Sequence, residues 1–175
     1  MNINKRNSNL ALGAIIAALY AVLVFTQEML FPNSASAAVQ FRVAESLTIL
    51  ALFTPAAIPG LTIGCALSNL LFMGALPLDT VLGSIATLLA AMCMNKLKDV
   101  TLRNAPVAAL LMPAVFNGII IGLEIEIFFI EGPFHFTSFL LQGALVALGE
   151  LAVCYTLGLM LYKAVKNKKL QKYLN

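Results

Sequence analysis

The chain has 175 residues, of which 61% are hydrophobic and 11% are charged. Ordinary soluble domains carry roughly 25% charged residues, so this composition excludes a soluble globular protein and indicates one that lies in a lipid bilayer. The net charge of +3 does not indicate binding to nucleic acid, because ten of the eleven Lys and Arg residues fall in three clusters beside apolar segments. Such clusters are typical of membrane proteins, in which they set the topology.

Apolar segments follow one another along the chain, and a helix needs about 20 apolar residues to cross the hydrocarbon core. We predict a single transmembrane domain of six helices that covers residues 1–175. The helices span about residues 8–30, 43–53, 56–73, 78–97, 105–129 and 137–163, and a basic cytoplasmic tail follows at 164–175. No small-residue cleavage pattern follows the first apolar segment, so we expect the first helix to be retained.

The apolar stretch from Val43 to Met73 is too long for one comfortable helix, and Pro55 and Pro59 interrupt it. We therefore predict two helices there, the first so short that it needs bilayer thinning, tilting or an unwound end to cross. The resulting six crossings place all three basic clusters on one side of the membrane. Five crossings would put the loop near Lys96 and the Lys-rich C-terminus on opposite sides, against the positive-inside bias. We predict a multi-pass protein of the plasma membrane with both termini in the cytoplasm.

Ionisable residues within the apolar helices are the first candidates for a binding site, because each costs about 2.5–3.5 kcal/mol at the centre of a transmembrane helix. Asn117 and Glu124 are seven residues apart and so lie on one face of the fifth predicted helix. Glu150 lies near the middle of the sixth helix, where a carboxyl group needs a partner, a proton or a ligand. On the six-crossing topology only Asp99, of the eight acidic residues, lies in a cytoplasmic loop.

Structural roles remain open for most of these polar residues. Asn69 and Asn117 are equally suited to hydrogen bonds that hold helices together. Glu45 could pair with Arg42 near the surface, and Asp79 could serve only as an acid at the start of the fourth helix.

Small residues form rows on the first helix, where they permit close approach of another helix. Gly13, Ala17 and Ala21 make one row at four-residue spacing, and Ala14 and Ala18 lie on an adjacent row. The sequence leaves open whether the second helix belongs to this chain or to a partner subunit.

Motifs for catalysis and metal binding are absent from the sequence. It contains no phosphate-binding Gly-rich loop, no nucleophile elbow and no zinc-binding His pair. Cys65, Cys93 and Cys154 lie far apart in apolar segments, which argues against a zinc site or a disulfide framework. We predict no catalytic residue, no metal and no cofactor, so any ATP hydrolysis that drives transport would occur on separate subunits.

Four short segments stand out along the chain: Gln40–Thr48 (QFRVAESLT), Pro59–Cys65 (PGLTIGC) with Asn69, Asp79 with Leu82-Gly83-Ser84, and Gly149-Glu150-Leu151. Together they resemble the QueT-type family of queuosine-precursor transporters. The resemblance implies the substrate-binding S component of an energy-coupling factor transporter, a six-helix subunit with cytoplasmic termini and a pocket open to the outside. It also implies partners, namely a transmembrane scaffold subunit and two cytoplasmic ATPases, to which the S component docks through the small residues of its first helix.

The resemblance further implies a 7-deazaguanine ligand, such as a pre-queuosine base or queuine. A guanine-like edge presents adjacent N–H donors that a carboxylate accepts bidentately. We expect Glu150 or Glu124 on that edge, Asn69 and Asn117 on the remaining polar groups, and Phe41 or Phe72 stacked on the base. The expected substrate-binding residues are Gln40, Phe41, Arg42, Glu45, Asn69, Phe72, Asp79, Asn117, Glu124 and Glu150. The expected partner-docking residues are Gly13, Ala14, Ala17, Ala18 and Ala21.

Three other functions are compatible with the sequence. The chain could be an S component for another vitamin or nucleobase, because members of that class share a fold and differ in the pocket. A stand-alone carrier of a small solute is the second alternative, although the inner half of the membrane region contains no ionisable residue. A membrane enzyme that uses Glu150 and Glu124 as an acid and base pair is the third, and no nucleophile or metal ligand accompanies the two.

Overall fold

The computed structural model describes residues 3–32, 34, 39–71 and 77–166, with residues 4 and 5 described by their backbone alone. Within these ranges the chain folds into six helical segments and no β-strand. They are α1 (Ile3–Leu30), α2 (Val43–Leu52), α3 (Ala57–Leu71), α4 (Pro77–Lys96), α5 (Val107–Phe129) and α6 (Phe136–Val165). In the described part, four of them (α1, α4, α5 and α6) are long and apolar enough to cross a membrane. The predicted class, an all-α membrane protein, is confirmed.

The second helix, α2, is a 3₁₀-helix over all ten of its residues, whereas such runs seldom exceed four. Its residues Ala44 to Leu52 are all buried, because α1, α3, α4 and α6 pack around it. A 3₁₀-helix rises about 2.0 Å per residue against about 1.5 Å in an α-helix, so ten residues extend roughly 20 Å instead of 15 Å. A short segment thus reaches further through the protein, and its neighbours shield its poorer backbone hydrogen bonds from lipid.

The two prolines account for the break between α2 and α3. Pro55 lies in the turn that follows α2, and Pro59 lies in the first turn of α3. A backbone N–H in the first turn has no partner within its own helix, so proline is tolerated there.

The remaining helices pack in the order α1, α3, α4, α5 and α6 around α2. The backbones of α1 and α3 are in direct contact. A Cβ atom added at Gly60 would lie only 2.6 Å from the Gly13 carbonyl oxygen. One turn further on, a Cβ atom at Gly64 would lie 3.0 Å from the Ala17 carbonyl oxygen. The order of these contacts shows that α1 and α3 run in the same direction, so α2 runs back between them.

One end of the bundle collects the C-terminal ends of α2, α4 and α6. The Asn95 side chain of α4 donates a hydrogen bond to the Ala51 carbonyl of α2 at 2.6 Å. The rings of Phe53, just after α2, and Tyr162 of α6 have centroids 5.6 Å apart. Exposed Lys96 and Lys163 lie on these terminal turns. This is the basic end of the molecule, and the buried acidic residues lie toward the other end.

The turn between α5 and α6 is held by Glu126. Its side chain is buried in the π-helical last turn of α5 and accepts a hydrogen bond from the His135 backbone N–H at 2.8 Å. His135 directly precedes α6, so this bond fixes where α6 begins. Glu126 therefore has a structural role at the acidic end of the bundle.

Candidate functional site

A cluster of buried polar side chains lies between the helices in the half of the bundle opposite the basic end. Every helix contributes to it, and most of its members are less than one-tenth exposed. We call it the polar cluster, and it consists of Tyr20, Arg42, Glu45, Asn69, Asp79, Thr87, Asn117, Glu124 and Glu150.

Glu45 lies in the first turn of α2 and is fully buried. Its Oε1 atom accepts hydrogen bonds from the Tyr20 hydroxyl of α1 at 2.6 Å and from the Thr87 hydroxyl of α4 at 3.1 Å. Glu45 therefore joins three helices at the centre of the bundle, and it does not lie near the surface.

Glu150 is the corresponding carboxyl group on α6 and is also fully buried. The Asn117 side-chain amide of α5 donates to its Oε1 atom at 3.2 Å. Asn117 and Glu124 both point into the bundle from α5, as their spacing requires. A bond from Asn117 thus orients the Glu150 carboxyl group while leaving its second oxygen available.

Arg42 is the cation of the cluster and precedes α2 in an extended conformation with φ −93° and ψ 94°. Its guanidinium lies close to the charges of Glu45, Glu124 and Glu150. A Cβ atom at Gly83 would lie 3.7 Å from Arg42 Nη1, which is ordinary contact, but 2.8 Å from Asn69 Nδ2, so a side chain here would displace the Asn69 amide.

Asn69 and Asp79 connect α3 to α4 beside the guanidinium. The Asn69 amide donates to the Asp79 backbone carbonyl at 3.2 Å. The Asp79 carboxyl group lies beside that of Glu124 on α5. Four carboxyl groups and one guanidinium thus share the cluster.

Four oxygen atoms of the cluster are buried without a hydrogen-bond partner among the described residues. They are Glu45 Oε2, Asn117 Oδ1, Glu124 Oε1 and Glu150 Oε2. Buried polar atoms in folded proteins almost always have a partner, and leaving one without costs about 1–3 kcal/mol. All four are acceptors, so the arrangement is suited to a small molecule that carries several N–H donors.

The segment Gln40–Arg42 covers the cluster between α1 and α6. The Gln40 backbone packs directly on Gly149 of α6, where any side chain would collide with it. On the other side, Gln27 of α1 binds the chain on both sides of Arg42: its amide donates to the Phe41 carbonyl and accepts from the Val43 N–H at 2.8 Å. The segment is therefore fixed across the polar cluster.

Comparison with known proteins identifies the family. The family model described as QueT transporter matches residues 10–167 of the chain. The chain belongs to the QueT transporter family. A curated protein of Lactococcus lactis subsp. cremoris (strain MG1363), named Queuosine precursor transporter QueT, is 32% identical over 145 residues, which cover 79% of this chain and 81% of that protein. No solved structure matches the chain significantly. The resemblance noted from the sequence is confirmed, and the chain is a multi-pass membrane protein of a transporter family.

The structure of this QueT family member brings together seven of the residues expected from its sequence to bind substrate: Arg42, Glu45, Asn69, Asp79, Asn117, Glu124 and Glu150. Gln40 is also buried, and its backbone packs on Gly149. Phe41 is 46% exposed, so its ring is not enclosed in the cluster. Phe72 and the tail at 167–175 lie outside the described residues.

Sequence reasoning missed Tyr20, Gln27 and Thr87. Tyr20 and Gln27 are seven residues apart and share a face of α1, and Thr87 lies two turns after Asp79 on α4. The sequence signal that could have identified them is the recurrence of polar residues at helical spacing within an apolar helix.

The small residues of α1 divide into two groups in the structure. Gly13 and Ala17 are buried against α3, so this part of the expected partner-docking surface is used within the chain. Ala14 and Ala18 remain exposed, and Ala21 is partly buried. An apolar groove of about 620 Å³ runs between α1 and α3, and Ala14, Ala18 and Ile63 are among its lining residues.

Proposed function

We propose that this chain is the S component of an energy-coupling factor importer and that it captures a queuosine precursor, a 7-deazaguanine base, from outside the cell. Membership of the QueT transporter family and the name of the Lactococcus relative support this substrate class. The observation that carries the proposal is the set of four buried acceptor oxygens without partners among the residues described.

The chemistry of a 7-deazaguanine matches these acceptors. Its ring N–H and exocyclic amino group lie side by side and suit the two oxygens of one carboxylate. Its pyrrole N–H is a further donor, on the opposite edge of the base, and its carbonyl oxygen can accept from Arg42. We assign Glu150 or Glu124 to the paired donors and Asn117 or Asn69 to the remaining polar groups. Asp79 either contacts the ligand or holds α3 and α4 together.

We further propose that all six helices cross the plasma membrane, with both termini in the cytoplasm. The alternating directions of α1, α2 and α3 support six crossings. The exposed basic residues Lys96, Lys98 and Lys163, on the turns at one end of the bundle, suit the cytoplasmic side. The polar cluster would then face the outside, where the substrate arrives.

Docking to a membrane scaffold subunit is assigned to the exposed row of α1. Ala14 and Ala18 present a smooth surface beside the groove between α1 and α3. Small exposed residues allow another transmembrane helix to approach closely. Two cytoplasmic ATPases would act through that scaffold and drive release of the ligand inside.

A binding titration of the purified protein in detergent tests the substrate. We expect submicromolar binding of a pre-queuosine base or queuine and weaker binding of guanine. Glu150→Gln should weaken binding at least about tenfold, because an amide cannot accept two adjacent donors. Glu131→Gln, at an exposed acid, is the matched control and should bind like the wild type. Tight binding of a different vitamin or base in the same screen would replace the substrate assignment.

Uptake into proteoliposomes tests the S-component role. The chain alone should give no accumulation of radiolabelled pre-queuosine base. Addition of a scaffold subunit, two ATPase subunits and internal ATP should give uptake. Uptake by the chain alone, without ATP, would instead establish a stand-alone carrier.

A further inference from the structure

Gln27 makes an unusual set of hydrogen bonds near the end of α1. The side chain is 7% exposed, and its single amide group binds the chain both before and after Arg42. Its nitrogen donates to the Phe41 carbonyl and to the Ser34 hydroxyl, the latter at 2.8 Å, and its oxygen accepts from the Val43 N–H at 2.8 Å. One side chain therefore fixes the two peptide groups that flank Arg42.

These two peptide groups determine how Arg42 is oriented. The Phe41 carbonyl belongs to the peptide plane before the Arg42 Cα atom, and the Val43 N–H belongs to the plane after it. Fixing both planes fixes φ and ψ of Arg42, which are −93° and 94°. The plane after Arg42 is also held from α2, since the Glu45 N–H donates to the Arg42 carbonyl at 2.9 Å. Among the described residues, the Phe41 carbonyl is held by Gln27.

The Arg42 side chain leaves the backbone at the Cα atom, so the backbone orientation determines where its guanidinium lies. That guanidinium is the cation among the carboxyl groups of the polar cluster. Residues 39–42 are not helical; besides the Gln27 bonds, the Phe41 N–H donates to the Ser34 carbonyl at 3.1 Å and the Gln40 backbone packs on Gly149. Neither of these two contacts fixes the peptide plane between Phe41 and Arg42. Loss of the Gln27 bonds would therefore let the guanidinium turn away from Glu45 and Glu150 without unfolding any helix.

We propose that Gln27 is a positioning residue that sets the orientation of Arg42 and, through it, the affinity and lifetime of the bound ligand. The inference rests on the proposed function, in which Arg42 and its neighbours hold a 7-deazaguanine base. Gln27 itself does not touch the ligand. It holds the segment Gln40–Arg42, which covers the polar cluster, in place.

A double-mutant cycle tests this coupling. Gln27→Met keeps the length of the side chain and removes the bonds, and Arg42→Gln removes the group that Gln27 is proposed to position. The probe is 7-aminomethyl-7-deazaguanine. Gln27→Met should raise Kd about tenfold in the wild-type background, mainly through faster dissociation, and less than about twofold in the Arg42→Gln background. Equal effects in the two backgrounds would show general destabilisation and overturn the inference.

Backbone hydrogen exchange of the ligand-free protein gives a second, independent readout. Gln27→Met should speed exchange of the Val43 amide about tenfold or more, while amides in the middle of α3 exchange as in the wild type. Thr26→Val is the matched control, because Thr26 is exposed and its hydroxyl donates to the Val22 carbonyl of the same helix at 2.7 Å. Unchanged exchange at Val43 would overturn the inference. If Gln27→Met does not fold, Gln27→Glu is measured instead, and it should lose the bond to the Phe41 carbonyl.

The two proposals can fail separately. If the wild-type protein does not bind the probe, the proposed substrate is wrong, and hydrogen exchange at Val43 still decides whether Gln27 holds the segment. If the wild type binds and Gln27→Met binds equally well, the substrate stands and the role of Gln27 is refuted.

Discussion

Replacement of Tyr20 by Phe tests how far the fold depends on the polar cluster. The Tyr20 hydroxyl donates to Glu45 Oε1 at 2.6 Å, and the Thr87 hydroxyl donates to the same atom at 3.1 Å. Glu45 Oε2 has no partner among the described residues, so Tyr20→Phe leaves this buried carboxyl group with a single hydrogen bond. The ring of Tyr20 is buried and its packing is unchanged by the substitution.

The expected cost follows from the charge of the acceptor. A hydrogen bond to a charged group contributes about 1.5–3 kcal/mol, whereas one between neutral groups contributes about 0.5–1.5 kcal/mol. At roughly 2–4 °C per kcal/mol for a chain of this size, Tyr20→Phe should lower the unfolding midpoint by about 3–12 °C. Thermal unfolding of the purified protein in one detergent, without ligand, measures this shift.

Tyr155→Phe is the matched control, since the Tyr155 hydroxyl donates to the neutral Val107 carbonyl at 2.7 Å. Its midpoint should fall by less than that of Tyr20→Phe. A Tyr20→Phe protein that is as stable as the wild type, or more stable than Tyr155→Phe, would refute the argument that Glu45 joins α1, α2 and α4 by these bonds.

Two further substitutions test the packing and the site. Gly60→Val should lower the unfolding midpoint by several degrees, because its Cβ atom would lie 2.6 Å from the Gly13 carbonyl oxygen. The control, Ala18→Val on the exposed face of α1, should leave the midpoint nearly unchanged. Equal midpoints for the two variants would contradict the close contact of α1 and α3. Asn117→Leu should weaken binding of a 7-deazaguanine base about tenfold or more in a titration, because it removes the donor that orients Glu150. Asn95→Leu at the basic end should change stability alone. Weaker binding by Asn95→Leu and unchanged binding by Asn117→Leu would contradict the location of the site.

The all-helical class could be predicted from the sequence, because an apolar segment long enough to cross a bilayer satisfies its backbone hydrogen bonds within itself by forming a helix. The spacing of Asn117 and Glu124 also sufficed to place both on one face of α5. These inferences depend on local pattern alone. They need no knowledge of which helices are neighbours.

The properties of α2 depend on tertiary packing and could not be predicted in the same way. Its 3₁₀ conformation and the burial of Ala44 to Leu52 follow from the helices around it. For the same reason the sequence could not decide between an exposed and a buried Glu45, or show that Gly13 and Ala17 face α3 while Ala14 and Ala18 face outward. A row of small residues permits close approach but does not specify the partner.

Binding of two ligands that differ by one donor tests the central claim, that the buried acceptors select a donor-rich base. Isothermal titration should compare 7-deazaguanine with the same base lacking the exocyclic amino group. We predict that loss of this group weakens binding at least about a hundredfold, because a carboxylate oxygen of the polar cluster is then buried without its donor. Equal affinity for the two bases would contradict the claim.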